Sequence, residues 1–145
     1  MTVKQLSVFV ENKPGSLAEI TAVLHRESID IRALSIADTT SFGVLRLIVD
    51  RPAAAAEALR TAGFTVSLTK VIAVGVSDCP GGLTQVLSTL ADAGITVEYM
   101  YAFISRQQDA AYVILRTDDN SRTCEVLSEK GIPILSEKDI GGCEE

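Results

Sequence analysis

The sequence predicts an α+β fold made of two copies of one module, each a β-α-β-β-α-β unit whose antiparallel sheet carries two helices on one face. Three observations predict it. Val10-Glu11-Asn12-Lys13-Pro14-Gly15-Ser16-Leu17 returns 66 residues later as Val76-Ser77-Asp78-Cys79-Pro80-Gly81-Gly82-Leu83. Apolar positions beyond that motif keep the offset, with Ile20, Leu24, Ile29 and Ile31 falling on Val86, Leu90, Ile95 and Val97. Further on, Asp50, Leu59, Gly63, Phe64 and Val66 fall on Asp118, Leu127, Gly131, Ile132 and Ile134 at an offset of 68. The two extra residues belong between the second and third strands of the second copy, where a loop tolerates insertion.

The first copy opens with Val3, Gln5, Leu6, Val8 and Val10, a β-rich run with one buried face. Asn12-Lys13-Pro14-Gly15 stops it. From Ser16 the apolar positions Leu17, Ile20, Val23 and Leu24 recur at helical spacing, and the helix fades near Ser28. Ile29 to Ala37 reads as a second strand and Val44 to Val49 as a third, with a polar turn between them. Asp50-Arg51-Pro52 opens a second helix through the alanine-rich stretch to Ala62, because proline is tolerated in a first helical turn. Gly63 ends that helix, and Phe64 to Leu68 is a fourth strand. The second copy repeats the order, with strands near 71–77, 95–104, 110–117 and 132–136 and helices near 82–93 and 120–130. Two helices on one face of a four-stranded antiparallel sheet bury these stripes, which makes each copy a ferredoxin-like sandwich.

The expected modules are residues 1–69 and 70–145, joined near Lys70. Each module leaves a bare sheet edge, and edges are expected to pair within the chain or across a homodimer. Gly141 to Glu145 carry no periodicity and are expected to fray.

A net charge of −6 argues against nucleic-acid binding, which needs clustered Lys and Arg; the 13 basic residues here are scattered. No apolar run approaches the roughly 20 residues that span a bilayer. No signal peptide is visible at the start, so a cytoplasmic protein is expected. Cys79, Cys124 and Cys143 form no C-x-x-C pair, which points to free thiols rather than a disulfide framework or zinc site.

The repeated loop has the chemistry of an anion cradle. Pro14 and Pro80 fix a backbone angle, while Gly15 and Gly81, followed by Ser16 and Gly82, keep large side chains away from the helix start. Unpaired N–H groups at a helix N-terminus suit a carboxylate or phosphate, favoured by roughly 0.3–1 kcal/mol through the helix dipole. Asn12 and Asp78, just before the cradle, are placed to complement an amine or to cap the helix. Proline, glycine and a capping Asn or Asp are also ordinary punctuation, so the loop alone leaves a turn and a binding site both open.

Catalytic constellations are scarce. His25 is the only histidine and falls on the first helix without a visible partner, the position of a surface residue. Cys79 lies beside the cradle, but the second copy has no histidine to activate it. Asp118-Asp119 and Glu144-Glu145 fall in a turn and a tail, as solvated charge does. Glu98 alternates with Tyr99 and Tyr101 on a strand whose simplest reading is edge packing.

The run from Asn12 or Asp78 through x-Pro-Gly-small-Leu and a helix to Ser28-Ile29-Asp30-Ile31 or Gly94-Ile95-Thr96-Val97 resembles the ACT domain, a ferredoxin-like regulatory module. The resemblance covers residues 3–69 and 71–138. Glu98-Tyr99-Met100-Tyr101-Ala102-Phe103 after the second run looks like small proteins made of two ACT domains. It implies a regulatory or sensor protein, not an enzyme, that binds an amino acid or similar small carboxylate, needs no cofactor or metal, forms a homodimer and acts on a regulated enzyme partner. It also implies that the ligand lies between the strand-to-helix loop of one module and the second strand of its neighbour. Carried over, the ligand-binding residues are Asn12, Pro14, Gly15, Ser16 and Leu17 with Asp30 and Ile31, and Asp78, Cys79, Pro80, Gly81, Gly82 and Leu83 with Thr96 and Val97. Leu17, Leu83 and Val97 hint at an apolar or aromatic ligand side chain. The second copy is the expected working site, since Gly82 leaves the helix start uncovered and Gly94 keeps the family pattern that Ser28 loses. The rival reading is a protein-interaction or oligomerisation module without ligand binding, and a third is an enzyme using Cys79.

Overall fold

The computed structural model describes residues 1–38, 41–103 and 110–141. Their elements run β1 (Val3–Glu11), α1 (Ser16–Arg26), β2 (Ile31–Asp38), β3 (Phe42–Val49), α2 (Pro52–Thr61), β4 (Thr65–Ser77), α3 (Gly82–Asp92), β5 (Val97–Phe103), β6 (Ala110–Thr117), α4 (Asn120–Glu129) and β7 (Ile134–Leu135). The β-α-β-β-α-β order occurs twice, with β4 serving as the last strand of the first pass and the first strand of the second. The sequence reading has two strands here, Phe64 to Leu68 and 71–77, with Lys70 as the joint; no break falls between them. Thr69-Lys70-Val71 contains no glycine or proline, so nothing interrupts the extended backbone, and β4 is one strand of 13 residues. The tail expected to fray, with Glu144-Glu145 and Cys143, lies outside the described residues apart from Gly141.

The chain divides into two compact units. The first module comprises Lys4–Thr69 with Gly141, and the second Met1–Val3 with Lys70–Ile140. In the first the strand order is β2-β3-β1-β4, and in the second β5-β6-β4-β7. The register of each central pair is antiparallel: Leu6 faces Leu47 and Val10 faces Gly43 in one, Ile72 faces Leu115 and Val76 faces Ala111 in the other.

Alternation along the strands and 3.6-residue spacing along the helices converge on one core per module. Leu6, Val8 and Val10 meet Ile20 and Leu24 of α1 and Leu59 of α2, with Leu45, Leu47 and Val49 from β3. Ile72 and Val74 meet Val86 and Leu90 of α3 and Leu127 of α4, with Val113 and Leu115 from β6. Each such side chain contributes about 1.5–3 kcal/mol by leaving water. Where the first core has Ala55, the second buries Thr123, whose hydroxyl lies 2.7 Å from both the Thr117 hydroxyl and the Asp119 carbonyl, so burial leaves it satisfied.

The repeat extends to irregularities. The β2–β3 register shifts between Ile31 and Ala33, and the β5–β6 register between Val97 and Tyr99, so Arg32 and Glu98 are bulged at the same offset of 66. The bulge breaks the simple alternation read for Glu98, whose carboxylate accepts from Arg116 Nε at 2.9 Å and raises the Arg116 pKa.

Candidate functional site

Both strand-to-helix loops are built by the same backbone hydrogen bonds. Lys13 N–H donates to Glu11 and Cys79 N–H to Ser77, each at 2.9 Å. Ser16 N–H donates to Lys13 at 3.3 Å and Gly82 N–H to Cys79 at 3.1 Å. Gly15 and Gly81 stand at the N-caps in the left-handed region, with φ of 88° and 91°, a conformation that other residues rarely adopt. Neither helix start has a side-chain cap. The N–H groups of Leu17 and Ala18 in α1, and of Leu83 and Thr84 in α3, therefore keep the orphan status of any uncapped first turn.

Asn12 and Asp78 do not cap these helices. Asn12 is tied to the start of β3, its N–H donating to the Ser41 carbonyl at 3.1 Å and its side-chain amide to the Phe42 carbonyl at 3.4 Å. Asp78 is exposed and makes no hydrogen bond or ion pair among the described residues.

In the first module the loop borders a cleft of about 360 Å³, the size range of small-molecule sites. Asn12, Lys13, Pro14, Ser16 and Leu17 line it from the loop side, and Ile36 from β2. Ile36 was missed in the sequence, although a strand returning antiparallel to β3 must end beside the loop that follows β1. Leu17 and Ile36 are each 42% exposed, and Leu34, two residues along β2, is 55% exposed. The register sets Leu34 and Ile36 opposite the buried Leu47 and Leu45, so they share the helix-side face yet stay outside the core at the bare edge.

Asp30 and Ile31 do not join this cleft. Ile31 pairs with Val49 while Glu11 pairs with Phe42, which puts them at opposite ends of β3, about 23 Å apart at strand rise. In the second module Val97 pairs with Thr117 and Ser77 with Ala110, so Thr96 and Val97 are likewise at the far end from Asp78, Pro80 and Gly81. The backbone there is clamped: Asp30 N–H donates to the Asp50 carboxylate at 3.0 Å, and Thr96 N–H to the Asp118 carboxylate at 3.1 Å. Asp30 also pairs with Arg32 at 3.2 Å. Ile31, Leu83 and Val97 pack partly against their cores, so of the apolar residues named for a ligand only Leu17 is exposed.

Gly82 requires a correction. A Cβ added there would collide with the Ser77 carbonyl oxygen, so the position does not open the helix start to a ligand. It is glycine because α3 begins against the backbone of β4. Ser16, its counterpart, is buried. Cys79 is an exposed free thiol, and His25 is exposed on α1. Among the described residues no three His, Cys, Asp or Glu side chains cluster as metal ligands, and no helix is long and apolar enough to cross a membrane.

The duplicated loop, the paired αL glycines and the two sandwiches agree with a family model described as an ACT domain pair, which matches residues 1–143. The chain belongs to that family. Its ACT modules are similar to a crystal structure of protein BT0572 from Bacteroides thetaiotaomicron, at 41% identity over 97% of this chain and 96% of that one, with a TM-score of 0.91. The ACT pair also shares its fold with the ligand-free regulatory subunit of aspartate kinase from Thermus thermophilus, at 17% identity over 87% of this chain and 91% of that one, with a TM-score of 0.62. The corresponding regulatory subunit from Thermus flavus is similar at 14% identity over 87% and 90%, with a TM-score of 0.59. No protein of curated function matches the sequence.

Proposed function

We propose that this ACT pair is a regulatory sensor that binds an amino acid or similar small carboxylate at its strand-to-helix loops, and that it works as a homodimer. The observation that carries the reading is the uncapped start of α1 at Gly15, opening on a cleft that offers exposed Leu17 and Ile36 to an apolar side chain. Orphan N–H groups and the helix dipole would hold the carboxylate.

Strand direction supports the homodimer. Among the described residues β2 and β5 end their sheets, each pairing on one side only. If β2 pairs antiparallel with the β2 of a second copy, the start of one strand lies beside the end of the other. Asp30 and Ile31 of one copy then come alongside the loop of its partner, which a single module cannot achieve. Regulation would be linkage, with a bridging ligand favouring the paired state that an enzyme partner reads. The rival, an association module without ligand, draws on the same exposed edge at Leu34 and Ile36.

A thermal-shift screen against the twenty amino acids tests the proposal. A ligand in hundredfold excess over its Kd stabilises by about 2.7 kcal/mol. Leu17→Glu, which places a carboxylate at the cradle without entering the core, should abolish that shift. No shift with any amino acid would favour the association module, and a parent-like shift in folded Leu17→Glu would move the ligand elsewhere.

A further inference from the structure

The second module has a hollow on the sheet face turned away from its helices. Val74 and Val76 point to the core, so Gly75 and Ser77 face the other way. These two and Ala110, which pairs with Ser77, make a floor of small residues under a cavity of about 320 Å³. Tyr112, directly opposite Gly75, is one wall. Pro133 and Leu135, on the β7 side of β4, are the other, and Asp139 stands at the rim.

The duplicated chain contains its own comparison. At the repeat offsets Gly75 corresponds to Phe9 and Ala110 to Phe42, two rings that are more than half exposed in the first module. One copy fills this place with rings, and the other leaves it open.

The polar groups around the opening have unspent capacity. Asp139 Oδ2 accepts from the Ser136 N–H at 2.7 Å and the Ser136 hydroxyl at 2.9 Å, which fixes the carboxyl and lowers its pKa. Its Oδ1 has no partner among the described residues. Tyr112 is only 8% exposed, and its hydroxyl, which makes no hydrogen bond among the described residues, is left accessible to solvent. Among the described residues no lysine or arginine lines the hollow.

We infer that this hollow is a second binding site, independent of the loops, for a small primary amine with a compact apolar body. The ammonium meets Asp139, and the body lies over Gly75 between Tyr112 and the Pro133–Leu135 wall. A charge-assisted bond to a fixed carboxylate selects the cation over its neutral isostere.

The test is an NMR-detected titration of the full chain with isoamylamine and, separately, isoamyl alcohol. The amine should shift the amides of Gly75, Ala110 and Leu135 saturably, and the alcohol should bind about tenfold more weakly. Asp139→Asn keeps an acceptor for Ser136 and should bring amine affinity down to that of the alcohol. Gly75→Phe installs the first module's own residue; a Cβ there lies 3.6 Å from Pro133, an ordinary contact, so the ring can enter the hollow without backbone strain. It should abolish amine binding, and if that variant does not fold, Asp139→Asn decides. Equal binding of amine and alcohol, perturbations centred away from these residues, or parent-like binding in folded Gly75→Phe would each overturn the assignment. So would a change in oligomeric mass in Gly75→Phe without any amine binding to the parent, which would make the occupant a second copy.

Discussion

Ser28 occupies the left-handed region with φ of 55°, the non-glycine residue to do so among the described residues, where its counterpart Gly94 has φ of 72°. Both follow a helix whose next residue reaches back, Ile29 N–H to Leu24 and Ile95 N–H to Leu90, each at 2.9 Å. The sequence showed the departure at Ser28, and the resemblance tied it to ligand binding; the backbone gives it a conformational cause. A side chain in this region costs about 1–2 kcal/mol, partly offset because glycine loses more freedom on folding. Ser28→Gly should therefore stabilise by about 0.5–1 kcal/mol in urea denaturation and Gly94→Ser should destabilise by a similar amount; opposite signs would refute the account. Gly82→Ser, the exchange to the other copy's residue, should cost about 2 kcal/mol through its clash with Ser77. Close approach of backbone was invisible in sequence, because Gly-Gly reads equally as open space and as crowding.

At the scale of elements, the order and nearly every boundary were legible, since periods of 2 and 3.6 alternate cleanly and Pro52, Gly63 and Gly131 punctuate them. The bulges at Arg32 and Glu98 were not, because no residue type there announces an extra position. Nor was the clamp that joins the start of each second strand to the end of its third. Asp50 and Asp118 correspond in the sequence, but the reciprocal bonds arise only in the folded backbone: the Asp50 N–H returns to the Asp30 carbonyl at 3.1 Å, and the Asp118 N–H to the Thr96 carbonyl at 3.2 Å. Asp50→Ala and Asp118→Ala should each cost about 1 kcal/mol and speed hydrogen exchange at the Asp30 and Thr96 amides. Exchange unchanged at those two amides would show that the clamp does not restrain the strand. Guanidinium groups close the preceding helices from different positions, Arg51 on the Glu27 and Ser28 carbonyls and Arg122 on the Ala93 carbonyl, so the repeat conserves the job and moves the residue.

For the whole molecule, the duplication was the strongest signal in the sequence, and the cleft beside Ile36 was the weakest, because it depends on which strand end meets which loop. The open edge carries the assembly prediction. Leu34→Lys should weaken homodimer association about tenfold or more in sedimentation velocity without unfolding the chain. A strictly monomeric parent at the same concentrations would dispose of the edge-pairing model. The unbroken strand β4 has a different consequence. Val66 faces the first core and Ile72 and Val74 the second, all even positions of one extended run. Deleting a single residue near Lys70 would reverse the parity of everything after it, presenting Val71 and Ala73 to the second core in place of Ile72 and Val74 and forcing those larger side chains into the packed opposite face, whereas deleting two would preserve it. The length of this stretch is thus quantised: it can drift in evolution only by pairs, although the identity of Lys70, exposed to solvent, is free to change.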